Sequence, residues 1–159
     1  MKIFNKKNKS IFINIDNTIV TVKDKAQANL YANQLLKICY ESTSIINKTK
    51  NPKIFFERYN LLIEETTSLA KLETFLKFKG TLPSIQLENL KIKKEQETNS
   101  MIARCFEDLN NKISELKTDK AKITNIQKTY DDLRNFEQEM TANNIELYTK
   151  YYENLINNF

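Results

Sequence analysis

Polar and apolar residues alternate one by one only near the start of the chain. Ile11, Ile13 and Ile15 fall on one side of an extended segment, Asp16-Asn17 interrupts it, and Thr18-Ile19-Val20-Thr21-Val22 resumes a β-branched run. Two such runs separated by two turn-forming residues predict a β-hairpin. A lone hairpin is marginal in water, so this one must lean on a helical body or on another chain.

Beyond residue 24 the apolar period changes to three and four, the spacing of an amphipathic helix. Asp24 is the expected cap of a helix over 25–47, with Ala28, Tyr31, Leu35, Ile38 and Ile45 along one side. A basic link follows, and Asn51 caps a second helix that takes Pro52 at its first position, where a missing N–H costs nothing. Phe55, Tyr59, Leu62, Leu69, Leu72 and Leu76 form its seam, which predicts a helix to about Phe78 with Gly80 stopping it. Pro83-Ser84 starts a third helix that reaches about Leu116. Its middle, 91–100, is polar except for Ile92, so continuity there is left open; Lys91–Glu95 and Lys93–Glu97 are the pairs expected to support it. Ile102, Phe106, Leu109, Ile113 and Leu116 resume the apolar face. Thr118 or Asp119 caps a fourth helix carrying Ile123, Ile126, Tyr130, Leu133, Phe136 and Met140. Thr141 caps a fifth, with Ile145, Tyr148, Tyr152, Leu155 and Phe159. The expected fold is all-α, an antiparallel bundle of about five helices preceded by a short β-hairpin arm. Residues 1–23 form the basic arm and hairpin, and 24–159 a single helical domain.

Composition narrows the function. The 159 residues include no histidine, no tryptophan and one glycine, Gly80. Chemistry near neutral pH draws heavily on histidine, and glycine serves wherever backbone must approach a substrate closely. The sequence therefore reads as non-catalytic, with no catalytic residues, no cofactor motif and no metal-ligand set. Glu64-Glu65 and Asp131-Asp132 are sequence neighbours, about 100° apart on a helix, and do not converge on one proton or metal. Cys39 and Cys105 lie far apart in helical segments and read as buried thiols.

The net charge of +5 is concentrated at the start. Lys2, Lys6, Lys7 and Lys9 supply four of those charges, leaving +1 over residues 11–159. With only Arg58, Arg104 and Arg134 for bidentate phosphate contacts, the arm, helped by Lys48, Lys50 and Lys53, supports weak electrostatic nucleic-acid binding at most. No stretch approaches the roughly 20 apolar residues of a membrane span. Cytoplasmic residence is the expectation, and a membrane surface is the least expected partner.

Two local patterns resemble known ones. Asn51-Pro52, Phe55-Phe56, Arg58-Tyr59, Leu61-Leu62 and the closing Lys79-Gly80 to Pro83 resemble a helical region of uncharacterised proteins from low-GC Gram-positive bacteria and their phages. That resemblance implies helix and a bacterial or phage origin, and it carries no activity. Residues 11–18 resemble the first motif of the haloacid-dehalogenase-type phosphatases, but Asn14 stands where that motif has its nucleophilic aspartate. An amide cannot form the acyl-phosphate.

The function expected from the sequence is protein–protein interaction, as an adaptor or by self-association. The contact residues expected are Ile11, Ile13 and Ile15, on a hairpin able to pair with a partner's sheet or with its twin, and Phe55, Phe56 and Arg58. Adjacent phenylalanines diverge on a helix. Either both pack on opposite sides of a buried helix, or one leaves the core beside Arg58.

Overall fold

The computed structural model describes residues 10–159. The arm lysines Lys2, Lys6, Lys7 and Lys9 lie outside the described residues. The described chain is all-α with a short β-hairpin before the helices, the fold class that its patterning predicts: β1 (Ile11–Ile15), β2 (Thr18–Val22), α1 (Lys25–Ile46), α2 (Pro52–Leu72), α3 (Pro83–Glu115), α4 (Asp119–Arg134) and α5 (Ala142–Ile156). It divides into two compact units, one comprising residues up to Ser42 with Asn60–Lys91, the other Thr43–Tyr59 with Ile92–Phe159.

In the first unit, β1 pairs antiparallel with β2, Ile15 opposite Thr18 and Ile11 opposite Val22. Asp16 (φ 50°) and Asn17 (φ 63°) both adopt left-handed backbone, as the tight two-residue turn of a hairpin requires. The inward face of the hairpin supplies Ile13, Ile15 and Val22 to a core shared with Ala28, Ala32 and Leu35 of α1 and Leu69 and Leu72 of α2. Asp24 caps α1 by accepting from the Gln27 amide at 2.9 Å.

The second helix ends six residues before the predicted Phe78. Its last turn tightens, with the Glu73 amide bonding Ala70 O and the Phe75 amide bonding Leu72 O. Glu73 is then free to serve the next helix: its carboxylate accepts from Ser84 N at 2.7 Å and from Ser84 Oγ at 3.1 Å. A carboxylate at a helix N-terminus satisfies an orphan amide and opposes the helix dipole. Phe75, Leu76 and Phe78 still pack against the core, but from a non-helical segment. Gly80 therefore does not stop α2; it takes φ 79° in the turn leading to α3.

The helix α3, whose residues from Ile92 onward belong to the second unit, runs unbroken through the polar stretch. That stretch is not solvated all round. Thr98 is fully buried, its hydroxyl bonded to Lys94 O at 2.7 Å. Asn144 of α5 donates to Glu95 O at 3.0 Å and to Asn99 Oδ1 at 2.7 Å. Lys94 pairs with Glu139 at 2.9 Å and Lys91 with Glu88 at 3.9 Å, in place of the expected i,i+4 pairs. Thr118 caps α4, and Thr141 with Asn144 forms a capping box for α5. Arg104 closes the end of α1, donating from Nη2 to Ile46 O at 2.7 Å and from Nε to Thr49 O at 3.0 Å. Ile123, placed on the α4 seam by its spacing, is exposed; Ile126 and Leu133 are the buried residues of that helix.

Candidate functional site

The hairpin offers two edges, and the chain treats them differently. With a two-residue turn, Ile15 and Thr18 form a hydrogen-bonded pair, so Ile13 with Val20 and Ile11 with Val22 do too. The peptide groups of Phe12, Asn14 and Asp16 then point out of the β1 edge, and those of Ile19 and Thr21 out of the β2 edge.

Side chains of α2 close the β1 edge. Glu65 Oε1 accepts from Asp16 N at 3.4 Å, Ser68 Oγ accepts from Asn14 N at 3.2 Å and donates to Asn14 O at 2.8 Å, and Lys71 Nζ donates to Phe12 O at 3.4 Å. The spacing works because side-chain length makes up a mismatch of pitch. Three helical residues advance about 4.5 Å, while two strand residues advance about 6.7 Å. The short serine therefore sits in the middle of the row, and the longer Glu65 and Lys71 reach outward at its ends. No periodicity in the sequence signals this row, since its partners are about 50 residues apart in the chain, where loop closure sets no pattern.

The row includes a buried acid. Glu65 is fully buried; its Oε2, like Asn14 Oδ1, has no hydrogen-bond partner among the described residues. Burial holds the Glu65 carboxyl above the usual carboxylate range, against the Asp16 amide that favours its charge; Glu64 and Asp16 push it further up.

Among the described residues the β2 edge is open. Nothing among them hydrogen-bonds the outward peptide groups of Ile19 and Thr21. At its far end the Lys23 amide is taken by Gln27 Oε1 at 2.8 Å. The outer face beside the edge is apolar, with Ile19 74% and Phe12 61% exposed. Thr18–Val22 carries no charge and no proline, the residues with which exposed edges are ordinarily blunted.

No family model, curated protein or solved structure matches this chain.

The expected contact residues need correction. Ile13 and Ile15 are buried and Ile11 half-buried in the chain's own core, because period two turns all three toward α1 and α2. The outward residues are Phe12 and Ile19 instead. Phe55 and Phe56 are both buried, edge to face with centroids 5.1 Å apart, and Phe56 also stacks on Phe136 at 5.5 Å. Neither leaves the core, and Arg58 is half-buried beside them.

Two of the lysines expected to assist nucleic-acid binding have acidic neighbours. Lys50 pairs with Asp108 at 3.2 Å, and Lys53 lies 4.0 Å from Glu57. The Lys50 hydrogen bond holds the Asp108 carboxyl below its usual range. Lys50, Lys112, Lys128, Asp108 and Asp132 line a cleft of about 120 Å³ in which Lys112 also turns to Asp108. No helix among the described residues is long and apolar enough to cross a membrane.

Proposed function

We propose that this chain is a non-catalytic, cytoplasmic protein–protein interaction module that takes a strand onto the β2 edge of its hairpin. The observation that carries the reading is the asymmetry of the two edges. Each unpaired strand edge invites another chain, and among the described residues one edge is closed by Glu65, Ser68 and Lys71 while Ile19 and Thr21 stay open beside an apolar face. Main-chain hydrogen bonds would supply the register of such a complex, and the exposed Ile19 and Phe12 side chains its apolar contact.

Thr21→Pro tests this directly. The Thr21 amide points out of the hairpin, so proline removes no β1–β2 hydrogen bond and obstructs only an incoming strand. Tagged full-length chain and its Thr21→Pro form are purified side by side from the native host, with protein and nucleic acid both quantified. A stoichiometric protein held by the wild type and lost from the variant supports the reading. A partner retained by both would sink it, and salt-labile nucleic acid alone would transfer the function to the lysine arm.

A further inference from the structure

We infer that the strand accepted by β2 is β2 of a second copy of this chain, paired antiparallel about Val20. This rests on the interaction reading above and names its partner.

The argument is one of register. Outward groups can bond only outward groups, so a two-fold pairing must centre on Ile19, Val20 or Thr21. Centring on Thr21 sets Ile19 against Lys23, whose amide Gln27 already holds. Centring on Ile19 sets Thr21 against Asn17, which is committed to the turn with φ 63°. Centring on Val20 sets Ile19 against Thr21 of the second copy, and Thr21 against Ile19. Each of these pairs exchanges both of its hydrogen bonds, as narrow antiparallel pairs do. Every open group of the edge is then satisfied and none is left over.

Side chains agree with this register. Val20 meets its twin on the inner face, where it is already half-buried beside the core. On the outer face Ile19 lies beside Thr21 of the second copy, with Phe12 next across the sheet. Charge complements as well: the Asp16 corner of one hairpin comes beside Lys23 of the other, and both residues are exposed. A foreign strand would need to supply these features independently, whereas a second copy has them by symmetry.

Sedimentation across a concentration series, on the full chain, tests the inference. The wild type is expected to dimerise, and Thr21→Pro to weaken that dimer about tenfold or more without loss of helical circular dichroism. Should the proline variant fail to fold, Val20→Cys provides the second arm. A central wide pair places its Cα atoms about 4.5 Å apart, within disulfide range, so Val20→Cys should form a covalent dimer on oxidation. Thr18→Cys, displaced from the two-fold, should not. A monomer at all concentrations overturns the inference, as does a dimer that Thr21→Pro leaves intact or a Thr18→Cys bridge that forms as readily as the Val20→Cys one. If no dimer forms but Thr21→Pro still abolishes capture of another protein, the second copy is wrong and the interaction reading stands. If the variant changes neither, both fall.

Discussion

Ser68 holds both backbone groups of Asn14 through one oxygen, accepting the amide at 3.2 Å and donating to the carbonyl at 2.8 Å. A hydroxyl is the smallest side-chain group able to do both, and it stands where a neighbouring strand would otherwise bond. The hairpin is thereby fastened to α2 along its length.

Ser68→Ala leaves two peptide groups of Asn14 without their partner. The expected cost is about 1–3 kcal/mol, read as a lower urea midpoint with unchanged slope. A change within error would mean that water replaces the hydroxyl without penalty and that the edge is not closed by α2.

Glu65 predicts a pH dependence with a definite sign. Its folded carboxyl titrates above the ordinary value, so the folded state binds the proton more tightly than the unfolded chain. That contribution to stability is complete below the ordinary glutamate pKa and is lost as pH rises through the higher folded value. The difference in stability between wild type and Glu65→Gln should therefore shift in favour of the glutamine across this window, in denaturant titrations at a series of pH values. A difference that stays flat with pH would show that the carboxyl titrates alike in the folded and unfolded chain.

Both thiols should be inert in the native protein. Burial pushes Cys39 up to about 11 and Cys105 up to about 12, which leaves little thiolate at neutral pH. Disulfide-exchange reagents should label neither at an appreciable rate until denaturant is added, and both thereafter. Fast labelling of Cys39 alone would report local opening of α1.

Arg104 joins the carbonyls of Ile46 and Thr49 through two different nitrogens. Lysine keeps the charge but not the fork, so Arg104→Lys should destabilise by about 1–3 kcal/mol in thermal or chemical unfolding. A neutral outcome would reduce the contact to a surface ion–dipole interaction.

Phe56→Ala should be the most damaging of these substitutions. It removes a ring buried against Phe55 and Phe136, and truncation of such a side chain costs about 3–5 kcal/mol. Because Phe56 is packed and not exposed, the loss should appear in unfolding and not in surface binding.

Much of the fold was legible because its signals are local. Asp16-Asn17 between β-branched runs gave the hairpin, and Asp24, the pair Thr118-Asp119 and Thr141 marked helix starts through caps acting within three residues, the structure choosing Thr118 of the pair. The end of α2 was not legible. Leu72 and Leu76 continue the helical period, and Phe75, Leu76 and Phe78 are apolar whether they reach the core from a helix or from an extended turn. What accompanies the end of the helix, Glu73 accepting from Ser84, is a contact eleven residues on that no local pattern signals. Continuity through the polar middle of α3 stayed open for the same reason, since the groups that satisfy it, Glu139 and, on α5, Asn144, are more than 40 residues away in the chain. The site was half legible: alternation located the hairpin, but the sequence alone directed attention to Ile11, Ile13 and Ile15. Only the placement of α1 and α2 shows that these face inward, leaving Phe12 and Ile19 outside.

The row of Glu65, Ser68 and Lys71 has a consequence for growth. A strand pair open on both sides can add neighbours without limit, and a segment such as Thr18–Val22, uncharged and β-branched, is the kind that seeds fibrils. Here α2 occupies one side of every hairpin. Two hairpins joined through β2 would present only closed edges, so assembly has nowhere to continue, and α2 acts as a built-in chain terminator for the sheet.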